Sequence, residues 1–225
     1  MRMSELSTTT VTPVPTIKFY LREGLLPAGE RTSPNQSQYD DSHVERVRLV
    51  RALLEVGGLS VAQAAAVIGA LDNEAMPLSS VFGVAQRAVT VPARVTSEAA
   101  GPGAARIAEL CERRGWKVYP NNPGLALAAR VLDTYSELGV DVITDAALEP
   151  YAEAADLVAS ADLAAVAAAP TEAEMTTVVA VGTVLGDALF AGLRRIAQEA
   201  ESFRRFPLPE GALPPSDHSH APEDC

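Results

Sequence analysis

The sequence predicts a mainly α protein: a helix-turn-helix head carrying a small β-hairpin, followed by an all-α C-terminal region. Three observations predict it. Two short helical signals meet around Pro13 and Pro15. A polar, turn-rich stretch with Gly29, Ser33, Pro34 and Asn35 then breaks the helical spacing once. From His43 onward, apolar residues return at i, i+3, i+4 spacing in one segment after another. With 225 residues, 48% of them hydrophobic, the chain can bury one large core or two modest ones.

Taken in order, the first helix is expected over Ser4 to Thr10, with Met3 and Leu6 as apolar positions and Ser4 as a cap. Pro13 and Pro15 fix the approach to a second helix over Thr16 to Glu23, because proline suits a first helical turn. Gly24 stands where a left-handed residue ends a helix. Residues 28–38 read as a loop or hairpin. Asp40, Asp41 and Ser42 are good caps for an amphipathic helix from His43 to about Val56, with Val44, Val47, Leu49 or Val50, Leu53 and Leu54 inward. Gly57 and Gly58 stop it, and Ser60 opens a fourth helix to Leu71. A fifth runs from Pro77 toward Pro92. After a linker at 96–103, alanine-rich helices follow at about 104–114, 124–138, 145–169 and 171–205, the last opening with Thr171 and Glu174 at capping-box spacing. The implied organisation is a head over 1–72, a connecting or dimerisation helix over 73–95, an effector-binding or oligomerisation region over 96–206, and a proline-rich disordered tail over 207–225.

Charge and motifs narrow the function. The net charge is −11, but residues 1–72 hold seven basic against eight acidic groups, so the acidity belongs to the remainder. A near-neutral head can bind a polyanion if its basic groups share one face, with strong salt sensitivity. No phosphate-binding loop, GxSxG, HExxH or CxxC motif is present, and the histidines are His43, His218 and His220, so no catalytic residues and no cofactor are expected. Cys111 and Cys225 imply no disulfide framework, and Cys111 reads as a small hydrophobe rather than a metal ligand. The beginning of the chain has no secretory signal, and the nearest approach to a spanning segment is Ala161 to Ala169, read as a buried helix. A cytoplasmic protein without membrane contact is expected.

The stretch Val14-Pro15-Thr16-Ile17-Lys18-Phe19-Tyr20-Leu21-Arg22-Glu23-Gly24-Leu25-Leu26-Pro27 resembles the recognition helix and turn of MerR-family regulators, roughly V-x-T-[IL]-R-Y-Y-x-x-x-G-L-L-x-P. A wing at 31–38, Tyr39 before Asp40 and Asp41, a third helix, Gly-Leu-Ser and a fourth helix follow in family order, so the resemblance covers residues 1 to about 72. One departure stands out: the family usually has Gly-Val in the first turn, where this chain has Val11-Thr12, and a β-branched residue is poorly suited to positive φ.

The resemblance implies a winged helix-turn-helix and a sequence-specific, DNA-binding transcription regulator. Such regulators bind palindromic promoter sites as homodimers and distort the spacer so that RNA polymerase can engage it. Candidate DNA-binding residues are Pro15, Thr16, Lys18, Phe19, Tyr20 and Arg22 on the helix, Arg31, Asn35 and Tyr39 in and after the wing, and Arg46 on the third helix. Core packing is the alternative for Phe19 and Tyr20. For a small organic effector, Trp116, Tyr119, Tyr135 and Tyr151 could line a pocket, or could simply be core. Two further functions stay open: a protein that sequesters a small molecule and uses the head to control its own gene, and an architectural DNA protein that needs no effector.

Overall fold

A computed structural model describes residues 1–33, 36–90, 101–140 and 142–207. The expected tail beyond 207, the linker at 96–100 and Asn35 lie outside the described residues. The fold is mainly α, with one small antiparallel hairpin after the first two helices.

Helix α1, Met3–Thr10, starts one residue earlier than expected, because Arg2 rather than Ser4 caps it: the Arg2 backbone N–H donates to the Glu5 carboxylate. Helix α2, Val14–Arg22, also begins early, with Pro13 as cap and Pro15 in its first turn. Gly24 does end it in the left-handed region, at φ +71°. Strands β1, Glu30–Ser33, and β2, Gln36–Gln38, pair Glu30 with Gln38 and Arg31 with Ser37 before a bulge. The wing springs from Gly29, where a Cβ would lie 2.5 Å from the Gln38 carbonyl oxygen and 2.8 Å from the Tyr39 ring.

Helix α3, Asp41–Arg51, is capped by Asp40 as expected, and its last turn widens into a π-helix over Ala52–Val56. Ser60 and Gln63 form the capping box of α4, Val61–Leu71, and α5 spans Leu78–Val89. Helices α6, Pro102–Arg114, α7, Pro123–Glu137, α8, Asp145–Ala167, and α9, Glu172–Arg205, match the four expected in the C-terminal region. The box at Thr171 and Glu174 forms, each residue's backbone N–H donating to the other's side-chain oxygen.

By contacts the chain divides into Met1–Asp187 and the segment from Ala188 onward. In the first unit the main core joins Leu6, Ile17, Leu25, Val47, Val50, Leu53, Val67 and Val81, and extends to Val166 of α8 and Val179, Ala180 and Val184 of α9. A smaller core of Ile107, Ala129 and Leu132 holds α6 on α7. There Gly103 lets the backbones approach: a Cβ would collide with the Ala129 carbonyl, and the Gly103 N–H donates to the Asp133 carboxylate at 2.7 Å. Arginines tie α6 to α8, Arg113 meeting Glu149 at 3.0 Å and Arg114 meeting Asp156 at 2.8 Å.

In the second unit, α9 leaves Leu189, Leu193 and Ile196 more than half exposed. By length and composition, α9 is also long and apolar enough to cross a membrane, although it opens with Glu172 and Glu174 and holds Asp187. The stretch at 161–169, read from the sequence as a buried helix, lies at the end of α8 with Val166 alone buried and Leu163 half exposed, because a helix this rich in alanine turns one narrow stripe to the core.

Candidate nucleic-acid interface

Two short helices joined by a three-residue turn make the head possible, and the turn is held by side chains. The Ser7 hydroxyl donates to the Thr12 carbonyl at 2.7 Å, and the buried Thr12 hydroxyl donates to the Thr10 carbonyl. Arg51 reaches from α3 to the same place, its guanidinium donating to the Thr10 carbonyl at 3.1 Å while pairing with Glu55 at 2.9 Å. The turn is thus anchored to the third helix.

Within that turn Val11 adopts φ +49° and ψ +43°, the left-handed conformation, with 81% of its surface exposed. The turn has kept the backbone shape that a glycine would favour, in spite of the β-branched side chain.

Helix α2 has one buried side and one open side. Ile17 and Tyr20 enter the core, whereas Pro15, Lys18 and Arg22 are exposed, with Thr16 and Phe19 half-buried at the edge. Spacings of three, four and seven residues from Pro15 place Lys18, Phe19 and Arg22 on one face. The Arg22 guanidinium lies over the Phe19 ring, 5.2 Å from its centroid, and contacts Glu23 at 3.1 Å. Backbone donors contribute little at the helix start: Pro13 and Pro15 have no N–H, and the amides of Thr16 and Ile17 both donate to the Pro13 carbonyl. Side chains must therefore supply the polar contacts of this face. The wing adds Arg31, exposed on β1.

Three expected contact residues are placed differently. Tyr20 is 3% exposed, so its ring packs in the core and is not part of the open face. Burial, reinforced by the charge of Glu55 and opposed by Arg51, pushes its hydroxyl pKa up, which keeps it protonated. Tyr39 is 7% exposed and stacks edge-on against His43 with centroids 5.2 Å apart. Its backbone is bound to Met1, whose N-terminal ammonium donates to the Tyr39 carbonyl at 2.6 Å. Arg46 is ion-paired with Asp72 at the end of α4, an internal tie between the third and fourth helices. For Tyr20 core packing was the alternative the sequence left open, whereas Tyr39 lies between β2 and α3, where no periodic pattern assigns a side. Arg48, by contrast, is exposed on α3 and makes no ion pair among the described residues.

The four aromatic residues expected to line a pocket are not brought together. Trp116 donates its indole N–H to Asp156 at 2.7 Å, Tyr135 lies on α7, and Tyr151 is half exposed on α8. Tyr119 does line a cavity of about 480 Å³ between α5 and the α6–α7 connection, with Phe82, Gln86, Arg87, Lys117 and Asn122. Two cations and no carboxylate face this cavity. No group of three or more potential metal-ligating side chains occurs among the described residues.

The sequence model described as the MerR HTH family regulatory protein matches residues 1–71, the whole of the head. The chain is also similar to the crystal structure of the "putative transcriptional regulator SCO5550 from Streptomyces coelicolor A3(2)", at 32% sequence identity and a TM-score of 0.65. That similarity covers 93% of this chain and 99% of the other. No curated protein matches the chain significantly. Sequence motif, helix-turn-helix geometry and a full-length relative therefore agree: this chain belongs to the MerR family of helix-turn-helix regulators and is a DNA-binding transcription regulator rather than an enzyme.

Proposed function

We propose that this regulator binds a palindromic promoter site as a homodimer and distorts it so that RNA polymerase can engage the promoter. The observation that carries the reading is the open face of α2, where Pro15, Lys18 and Arg22 are exposed and Thr16 and Phe19 sit at its edge, beside Arg31 of the wing. Thr16, at the edge of that face near the helix start, is suited to base edges in a major groove, and Lys18, Arg22 and Arg31 to flanking phosphates. The protein works in the cytoplasm, where promoter DNA is found.

A small organic effector would fit the cavity beside α5. Arg87 and Lys117 without a facing carboxylate favour an anionic group, and Phe82 and Tyr119 favour an aromatic or apolar body. Helix α5 also packs on α4 of the head, and the Gln63 side chain donates to the Ala88 carbonyl at 2.9 Å, so a ligand held there would press on an element joined to the DNA-binding unit.

Selection of genomic fragments by the purified protein at physiological salt, followed by footprinting of the strongest, tests the proposal. A protected palindrome between promoter elements supports it. Fragments that share no sequence would instead support an architectural protein, and ligand retention with no effect on promoter binding would support sequestration.

A further inference from the structure

The cavity beside α5 sorts its lining chemistry into two stripes along that helix. Ser80, Gly83 and Arg87 follow one another at steps of three and four residues and share one side, while Phe82 and Gln86, four residues apart, form the neighbouring stripe. On the first stripe the Arg87 guanidinium folds back over Gly83, where a Cβ would lie 3.3 Å from its Nη1. Glycine weakens a helix interior, and the nearest atoms that a side chain here would meet all belong to Arg87. Folded this way, the guanidinium stands about one turn from Ser79 and Ser80 at the helix start. That start is open to an anion: Pro77 caps it without a side-chain bond, and the Ser79 amide donates to no acceptor among the described residues.

Charge pairing singles out the same place. Beyond residue 72 acidic groups outnumber basic ones, and Arg106, Arg113, Arg114 and Arg130 each meet a carboxylate. Arg87 and Lys117 meet none among the described residues, and both line this cavity, which has no carboxylate of its own. Two unpaired cations at one hollow in an acidic region mark an anion site. The second stripe suits a ring with polar edges. Phe82 of α5 and Tyr119 of the α6–α7 connection offer aromatic surface, and the side-chain amides of Gln86, Asn121 and Asn122 offer hydrogen bonds beside it. Asn122 spends its carbonyl oxygen on capping α7, which leaves its NH2 to donate.

We infer that this cavity binds a nucleotide, its phosphate held by Ser79, Ser80, Arg87 and Lys117 and its base laid against Phe82 and Tyr119 within reach of the three amides. This rests on the effector reading above and names the ligand's chemistry. An aromatic carboxylate would use the rings and a cation but leave the amides without partners, and an inorganic anion would leave the rings unused. A nucleotide engages both stripes, and the volume of about 480 Å³ lies within the range of small-ligand sites.

Calorimetry of the full-length protein with adenosine monophosphate and guanosine monophosphate tests the inference, with adenosine, inorganic phosphate and benzoate as probes that each lack one part. A nucleotide should saturate the protein at one per chain, and the partial probes should bind about tenfold more weakly or worse. Arg87→Gln and Lys117→Gln should each weaken the nucleotide about tenfold and leave adenosine binding as it is. Arg87→Lys keeps the charge without the planar fork and should fall between wild type and Arg87→Gln. Gly83→Leu fills the floor of the cavity with a better helix former, so it should abolish nucleotide binding while Tm holds or rises, a combination that a folding defect does not produce.

Nucleotide binding that survives Gly83→Leu and both glutamine variants overturns this site. Inorganic phosphate that binds as tightly as the nucleotides overturns the role of the rings. Benzoate that binds more tightly than they do overturns the nucleotide class while leaving the effector reading intact. No binding by any of the probes at millimolar concentration overturns the inference; if Arg87→Gln and Lys117→Gln then also weaken the grip on DNA, the two cations serve its phosphates and the effector reading falls as well. Nucleotide binding that leaves DNA affinity unchanged upholds the ligand class and overturns only the effector role.

Discussion

Replacing Val11 by glycine should make this protein more stable, an unusual direction for removing an apolar side chain. The left-handed conformation costs a residue with a Cβ about 1–2 kcal/mol, and Val11 occupies it at φ +49° while leaving 81% of its surface in water. Little burial is therefore lost on truncation. Glycine relieves the strain but enlarges the conformational freedom of the unfolded chain, which returns ~0.4–1 kcal/mol. The net expectation is a gain of ~0.5–1 kcal/mol, or a rise in Tm of ~1–4 °C for a chain of this size. Urea and thermal unfolding of the full-length protein, followed by circular dichroism, measure it. Val11→Ala keeps its Cβ and should change little, whereas Val11→Asn, which tolerates this region, should gain nearly as much as glycine. A Val11→Gly protein that melts at or below the wild-type temperature would refute the argument, because it would mean that the side chain makes a contribution larger than the strain.

Lys18→Ala should weaken binding to all DNA sequences alike and flatten the salt dependence by about one unit of slope, while Thr16→Ala should change preference at a few base pairs; equal loss on specific and random DNA for both would remove the recognition role of α2. Asp40 caps α3, and bonds from the Ser42 hydroxyl and then from His43 hold its carboxyl well below the usual carboxylate range. A depressed pKa adds stability that is fully present above the unfolded value near 3.8 and is lost as pH falls below it, so Asp40→Ala should lower Tm at pH 6 and differ less from wild type at pH 3. Gly103→Ala pushes a Cβ against the Ala129 carbonyl and should destabilise the α6–α7 pair by ~1–3 kcal/mol, seen as a lower Tm with DNA affinity at low temperature retained. Gly29→Ala should leave the helical signal unchanged but weaken DNA binding, because the wing base closes on Gln38 and Tyr39; unchanged affinity would show that the wing has no part in the contact.

Local chemistry made much of this protein legible. Prolines at 13 and 15, the caps Asp40 and Ser60, the stop signals Gly24 and Gly57-Gly58, and the Thr171–Glu174 box all act within one helical turn, so the sequence determined nine helices of the described residues to within a few positions. The V-P-T-I-K-F-Y stretch determined the family and the open face of α2 in the same way, since Pro15, Lys18 and Arg22 are bound to share a side at helical spacing.

What the tertiary structure decided concerns choices between faces and between partners. Tyr20 and Tyr39 became core residues, and Arg46 found Asp72 across 26 positions. The cavity formed from Phe82 and Arg87 of α5 with Lys117 and Tyr119 of the α6–α7 connection, rather than from four aromatics chosen by type. Even Val11 belongs here: its sequence argued against positive φ, yet the turn is fixed from outside by Ser7, Thr12 and Arg51. Propensities and caps are local energies, while burial and ion pairing depend on which segments, distant in the chain, arrive at the same place.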